Sequence, residues 1–180
     1  MSVNPTLVFF DLETQRSFQE VGGRHNIPRL GLSVAVTYNS SDCAFHRYIE
    51  ANVPELIAEL QAADRVIGFN LLRFDYPVLS AYTQVRLSSL PTVDMLDHIH
   101  RRLGFRVGLD ALASATLGRG KSANGLQAIR WWRAGEMEKL FAYCQQDVEV
   151  TRQLYEFGQR HKYLQYRDRR WGLRQVPVSW

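Results

Sequence analysis

The apolar residues of the first fifty positions cluster in short, β-prone runs. These runs predict strands over residues 7–10, 30–38 and Ala44–Ile49, because side chains of a strand alternate between the two faces of a sheet. The polar residues 40–42 between the last two runs supply turn chemistry, which favours an antiparallel hairpin. We therefore expect the sheet to begin as a meander.

The spacing of apolar residues then changes to that of a helix. Apolar side chains recur every three to four positions over residues 52–63, which predicts a helix capped by Asn52. The run over residues 65–69 predicts a short buried strand. The next helix should begin close to Asp75, because Pro77 is tolerated only in the first turn of a helix.

The second half of the chain is mainly helical in its spacing. A short strand is predicted over residues 92–95, followed by helices over 96–103 and Leu109–Leu117. The glycines within residues 118–125 predict a flexible loop. The longest periodic stretch, 136–158, predicts a long helix with one apolar side.

A meander followed by alternating helices and strands predicts an α/β fold, in which helices flank a mixed β-sheet. The length of 180 residues is that of one compact domain, which we expect to cover residues 1–180. An apolar fraction of 46% and a charged fraction of 22% are ordinary for a globular chain.

Several classes of protein are disfavoured by the sequence. No apolar run approaches the roughly 20 residues that cross a bilayer, and the N-terminus lacks a basic region and a cleavage site, so neither membrane insertion nor secretion is expected. Cys43 and Cys144 are far apart and match no disulfide framework or zinc-ligand spacing. A cytoplasmic location fits these features best.

The net charge of +4, with a sequence pI of about 9.3, is compatible with a polyanionic partner. Much of the excess lies in residues 160–174, where a solvated helix end and turn is the alternative to a phosphate-binding segment. Trp131 and Trp132 could stack on unpaired bases, although at least one of them is expected in the core.

Asp11 and Glu13 follow the first apolar run in the sequence FFDLET. Because strand side chains alternate, both carboxylates can point to one face while Leu12 points to the other. Adjacent carboxylates repel each other unless a cation neutralises them, and oxygen ligands favour Mg²⁺ or Mn²⁺. The alternative is an ordinary acidic strand end at the surface.

Two further acids stand in positions where a ligand site is plausible. Asp75 follows a buried strand and a turn, and ligands bind at the carboxyl ends of strands in α/β folds, although a helix-capping aspartate is the alternative. Tyr143 and Asp147 are four residues apart and share one helix face. The alternative there is a tyrosine at the core edge with a surface aspartate.

The order D-x-E, then N-x-x-x-F-D, then Y-x-x-x-D resembles the DEDDy branch of the DnaQ-like 3′→5′ exonuclease superfamily, which has the ribonuclease H-like fold. More narrowly, the sequence GLDALASATLG, the following Lys121 and the closing RDRRWGLRQVPVSW are similar to the YprB-type predicted exonuclease domain. The resemblance implies a 3′→5′ exonuclease that hydrolyses single-stranded DNA or RNA from a free 3′ end.

The resemblance also implies a set of metal ligands. Two Mg²⁺ or Mn²⁺ ions would be held, with Asp11 bridging both. Glu13 and Asp147 would complete the site of the first ion, and Asp75 would hold the second. Tyr143 would orient the attacking water, because a phenol with a pKa near 10 is a poor general base at neutral pH.

Five other positions are implied to contact nucleic acid. Thr14 would lie against the terminal nucleotide, and Asn70 and Phe74 would shape the pocket around it. Arg119 and Lys121 would contact phosphates without sequence preference. Two alternative functions remain: a non-catalytic adaptor that binds nucleic acid or a helicase, and an endonuclease of the ribonuclease H type. A helicase is also a possible partner of the exonuclease.

Overall fold

A computed structural model describes residues 5–119 and 125–180 of the chain. The strands are β1 (Leu7–Thr14), β2 (Leu32–Asn39), β3 (Ala44–Ile49), β4 (Arg65–Gly68), β5 (Thr92–Asp94), β6 (Tyr163–Asp168) and β7 (Gly172–Pro177). The α-helices are α1 (Val53–Ala62), α2 (Asp75–Leu79), α3 (Met95–Leu103), α4 (Leu109–Leu117), α5 (Gly125–Arg133) and α6 (Met137–His161). Short 3₁₀ turns span Arg24–Arg29, Glu50–Asn52 and Leu87–Ser89.

Five strands form one mixed sheet in the order β3-β2-β1-β4-β5. The first three strands are antiparallel neighbours, as the predicted meander requires, and β4 and β5 run parallel to β1. Each parallel connection passes through helical segments, which cover the faces of the sheet. The sheet and its helices confirm the predicted α/β fold.

Alternation along β1 divides the core into two layers. Phe9 packs on one face of the sheet in a cluster that includes residues of α3, α4, α5 and α6. Val8, Phe10 and Leu12 pack on the other face against residues of α1 and α2. Side chains at odd positions of β1 therefore face the long helix α6, and this face carries the candidate site.

The predicted elements of the first hundred residues are found within a few positions of their expected bounds, except that β1 extends to Thr14. The expected capping role of Asn52 is wrong, since its side chain makes no cap to α1. It accepts a hydrogen bond from the backbone amide of Ile49 instead, at 2.6 Å. The cap is therefore on the 3₁₀ turn that precedes α1.

One helix and one hairpin were not anticipated. Residues 125–133, next to the predicted glycine loop, form α5, and a hairpin of β6 and β7 lies where a helix end and turn was one of two interpretations of residues 160–174. Arginines conceal the alternation of this hairpin, although Leu164, Tyr166 and Val176 are buried. Among the described residues, no helix has the length and apolarity needed to span a membrane.

Candidate active site

The candidate site begins where β1 loses one of its two neighbours. β4 pairs with β1 only at residues 7–9, whereas β2 continues alongside β1 as far as Thr14. Asp11 and Glu13 therefore lie next to an opening left by the end of β4. Both are half-buried on the α6 side, and Leu12 between them is buried on the opposite face. This is the arrangement that strand alternation predicted.

The turn after β4 brings Asp75 to the same opening. Asn70 adopts a left-handed conformation (φ 76°), and the Asp94 carboxylate accepts hydrogen bonds from the backbone amides of Asn70 and Leu72, at 2.9 and 3.0 Å. These bonds fix the path of the chain into α2, which begins at Asp75. Asp94 thus acts as an organiser of the turn, a role that no sequence motif indicated.

The helix α6, which packs on the sheet, contributes a further acid to the group, Asp147. Asp147 offers a carboxylate oxygen that lies within 4.8 Å of oxygens from Asp11 and Glu13. One helical turn earlier, Cys144 is fully buried, and its thiol lies 3.4 Å from the carbonyl oxygen of Asp11 and 3.6 Å from Oδ2 of the same residue. Three carboxylates from distant parts of the sequence therefore converge.

Asp75 faces the same cleft from the α2 side. It is only 2% exposed, and its Oδ1 has no hydrogen-bond partner among the residues that the structure describes. Leaving a buried carboxylate oxygen unsatisfied costs on the order of 1–3 kcal/mol or more. A cation bound in the cleft would remove that cost, so the orphaned oxygen fits a metal ligand.

Burial and mutual repulsion make these carboxyl groups weak acids. Burial, followed by the charges of Asp75, Asp147 and Glu13, raises the pKa of Asp11 well above its usual value. Burial raises the pKa of Asp75 to about 8 and that of Asp147 to about 7.

The pKa of Glu13 is likewise raised well above its usual value, by burial and then by the charges of Asp147 and Asp75. Among the described residues, no positively charged side chain contributes to these four pKa values. Such a site has a strong electrostatic preference for a divalent cation, which would lower all four pKa values.

Tyr143 lies one turn before Asp147 on the same face of α6 and forms a hydrogen bond with its carboxylate. Burial and the neighbouring acids raise the pKa of Tyr143 above its usual value. Its ring packs edge to face against Trp131 of α5, with centroids 5.9 Å apart. Tyr143 is therefore held in place as a neutral hydrogen-bonding group.

The four acids and Tyr143 line one cleft with a volume of about 440 Å³. Thr14 and Phe74 also line it, whereas Asn70 and Arg119 are not among its lining residues. The Asn70 side chain accepts a hydrogen bond from Arg106 at 2.8 Å instead. Lys121 lies outside the described residues.

Other lining residues had no signal in the sequence. Arg16 and Phe18 follow the D-x-E motif, and Leu126 and Ile129 come from the unanticipated helix α5. Phe18 packs edge to face against Phe74, with ring centroids 5.9 Å apart. One wall of the cleft is therefore apolar and aromatic. For Phe18, the only indication in the sequence was that it closely follows Thr14.

The two tryptophans of α5 are both half-buried and pack against the core cluster on the α6 side of the sheet. Neither is fully buried, so the expectation that at least one lies in the core is met only in part. Trp131 packs edge to face against Tyr143, and the stacking of this pair on unpaired bases stays a prediction from the sequence.

Comparison with solved structures shows a similar fold in the family B DNA polymerase from the hyperthermophilic archaeon Pyrobaculum calidifontis, with a TM-score of 0.67 and 19% sequence identity. The match covers 87% of this chain and 25% of the polymerase chain, so this chain corresponds to about a quarter of the polymerase. No curated protein matches the sequence. The family RNase_H_2, which is part of the RNase_H superfamily, matches residues 8–158. The chain therefore belongs to the RNase H superfamily.

Proposed function

We propose that this protein is a DEDDy-type 3′→5′ exonuclease that removes terminal nucleotides from single-stranded DNA or RNA with the help of two Mg²⁺ or Mn²⁺ ions. The observation that carries the proposal is the cleft itself. Four carboxylates from β1, α2 and α6 line it together with Tyr143, and three of them have oxygens within 4.8 Å of one another. Membership of the RNase H superfamily supports a nuclease.

The donor set fits two hard cations. All four candidate ligands are carboxylates, and oxygen donors suit Mg²⁺ and Mn²⁺ rather than softer metals. Asp11, Glu13 and Asp147 would hold one ion, and Asp75, with its orphaned oxygen, would hold the second together with Asp11. When bound, such a pair of ions activates water and stabilises the charges of the attacking and leaving oxygens at the scissile phosphate.

The protein's own groups have simpler tasks. Asp147 accepts the hydrogen bond of Tyr143, and this bond holds the phenol beside the acids of the cleft. Because its pKa is raised, Tyr143 stays protonated at neutral pH and orients water without removing a proton from it. The Cys144 thiol, whose pKa is raised by burial, stays protonated and helps to fix Asp11.

The apolar wall suits a nucleobase. Phe18, Phe74 and Leu126 give the cleft its hydrophobic side, and Leu126 is 62% exposed although it lies at a cleft. Aromatic and aliphatic surfaces bind bases with little sequence preference. Thr14 and Arg16 lie on the same cleft, and Arg16, which also donates a hydrogen bond to the carbonyl of Arg29, would meet a phosphate there.

The phosphate-contact roles of Arg119 and Lys121, the pocket role of Asn70, a helicase partner, a cytoplasmic location and the one-domain organisation remain predictions from the sequence. Burial raises the pKa of Glu149, hydrogen bonds from Arg152 and Gln153 lower it by more, and the charge of Arg119 adds a smaller lowering.

The decisive experiment follows the ends of a labelled strand. A 5′-labelled single-stranded DNA or RNA incubated with Mn²⁺ should shorten stepwise, and blocking its 3′ end should stop the reaction. Asp11→Asn should lower the rate by about 100-fold or more, because metal-ligand carboxylates underlie several kcal/mol of transition-state stabilisation. Asp42→Asn, which changes an exposed acid in the β2–β3 turn, is the matched control and should retain the rate.

The same assay separates the alternatives. Internal fragments that appear from an end-blocked strand or an RNA–DNA hybrid would indicate an endonuclease instead. Strand binding with no hydrolysis, and no Mn²⁺ binding that depends on Asp147, would indicate an adaptor. An adaptor has no need of the carboxylate repulsion that raises the pKa values in this cleft.

A further inference from the structure

The tip of the β6–β7 hairpin concentrates positive charge at the surface. Four of its arginines are exposed: Arg167, Arg169, Arg170 and Arg174. Within residues 5–119 and 125–180, none of the four forms an ion pair. Elsewhere, four arginines pair with carboxylates: Arg47, Arg101, Arg133 and Arg152. The tip therefore gathers four arginines without an ion pair within residues 167–174.

The single acid of the hairpin does not neutralise this charge. Asp168 Oδ1 accepts hydrogen bonds from the backbone amides of Arg170 and Trp171, both at 2.8 Å. The carboxylate is thus used to order the turn, as aspartates commonly are. The turn holds the arginine side chains outward on a defined hairpin.

Large apolar groups are exposed beside these charges. Trp171 is 63% exposed and Leu173 is 50% exposed. The guanidinium carbon of Arg170 lies 5.0 Å from the centroid of the Trp171 ring. An exposed indole next to unpaired guanidinium groups matches a strand that offers both bases and phosphates.

The hairpin is linked to the rim of the catalytic cleft by two consecutive residues. The ring of Phe105, 45% exposed, packs edge to face on Tyr166 of β6, with centroids 5.9 Å apart. Arg106 donates a hydrogen bond to Asn70, which directly follows the cleft-lining Phe69. A basic and aromatic surface therefore runs from the cleft rim to the hairpin.

We infer that the hairpin tip, together with Phe105 and Arg106, is a docking surface for the part of a single strand that lies 5′ to the nucleotide in the cleft. The inference rests on the proposed function for the polarity of the strand. The arginines would bind phosphates, and Trp171 would stack on a base. Such a surface holds a long strand in place between successive cleavages.

The length of strand that reaches the tip follows from the order of these contacts. From the cleft, a strand first meets Arg106 and Phe105, which contact Asn70 and Tyr166, and the tip lies farther along the hairpin. A strand of about four nucleotides should therefore stay within the cleft and its rim, whereas one of about 16 should also reach the tip, because single-strand sites span about 4–16 nucleotides.

The test measures the binding of 5′-fluorescent DNA strands of about 4 and about 16 nucleotides by anisotropy, in metal-free buffer at several salt concentrations. Arg167→Gln with Arg170→Gln should weaken binding of the longer strand and reduce its salt slope by roughly 1.4, because each phosphate contact contributes about 0.7. Trp171→Ala should weaken binding of the same strand about fivefold or more. Neither change should affect the rate on the short strand with Mn²⁺.

The matched control is Arg65→Gln with Arg86→Gln, which removes two exposed arginines elsewhere, Arg65 at the start of β4 and Arg86 in the chain between α2 and β5. An equal loss in both double variants, or no loss in the hairpin variant, overturns the inference. Tip-dependent binding without strand shortening would keep the docking surface and reject the exonuclease. Shortening without tip dependence would do the opposite.

Discussion

The acid Glu59 and the acids of the cleft are both shielded from solvent, but their surroundings are opposite. Glu59 of α1, whose side chain is 10% exposed, lies within 2.6–2.9 Å of hydrogen-bonding groups on four residues of β2 and β3: Thr37, Asn39, His46 and Tyr48. In the cleft, Asp11 and Glu13 instead face other carboxylates, and one oxygen of Asp75 has no partner within residues 5–119 and 125–180.

The difference separates an acid with a structural role from acids for which a functional role is proposed. Glu59 is satisfied by the protein and ties α1 to the sheet, so its place needs no ligand. The cleft acids are destabilising until something positive binds between them. A bound cation would supply the missing partner, which is the role proposed for the two metal ions.

Neutralising one cleft acid and neutralising Glu59 should give opposite results, and this is the largest effect we expect. Asp11→Asn should lower nuclease activity about 100-fold or more, while the metal-free free energy of unfolding does not fall, because a repelling charge is removed. Glu59→Gln should leave activity within a few fold but lower the free energy of unfolding by about 1–3 kcal/mol. Rate assays and urea unfolding in EDTA measure the two quantities.

A divalent cation should raise the free energy of unfolding, and this effect should depend on the cleft acids and not on Glu59. At a Mn²⁺ concentration about 100 times its Kd, the free energy of unfolding should rise by about 2.7 kcal/mol. The rise should be lost or much reduced in Asp147→Asn and retained in Glu59→Gln. Thermal unfolding with and without Mn²⁺ measures the effect, and equal stabilisation of both variants would contradict the assignment of the ligands.

Replacement of Tyr143 by Phe should have a smaller effect. The variant keeps the ring that packs on Trp131 but loses the hydroxyl group that hydrogen-bonds to Asp147. We expect kcat to fall about 10- to 100-fold, with Mn²⁺ affinity close to that of the wild type. A loss of Mn²⁺ binding as large as that of Asp147→Asn would instead mean that Tyr143 acts mainly by holding the ligand.

The metal-free protein should also lose stability as pH rises. Asp75 and Asp147 have folded-state pKa values of about 8 and about 7, above the ordinary value of 3.8, so the folded state binds more protons between these limits. The contribution of these two groups to the free energy of unfolding is therefore greatest below about pH 4 and declines until about pH 8. Asp75→Asn should flatten the decline, and Mn²⁺ affinity should increase over the same range, as calorimetric titrations would show.

The sequence was sufficient for the elements in which local spacing agrees with the final packing. Alternation in β1 correctly put Asp11 and Glu13 on one face and Leu12 on the other, and helical spacing put Tyr143 and Asp147 together. The hairpin β6–β7 and the helix α5 were not predictable in this way. Their residues are rich in arginine and glycine, and their apolar faces are apparent only once α4 and α6 supply the packing partners.

By itself, the sequence determined which acids could work together, because motif order and side-chain periodicity are local properties of the chain. Only the tertiary structure decided that the acids share a cleft, that Asn70 bonds to Arg106 and does not line that cleft, and that Phe18 and Leu126 form its wall. It also decided which carboxylates are satisfied and which are not. These outcomes depend on contacts between residues far apart in the chain, and on the burial and charge that those contacts create.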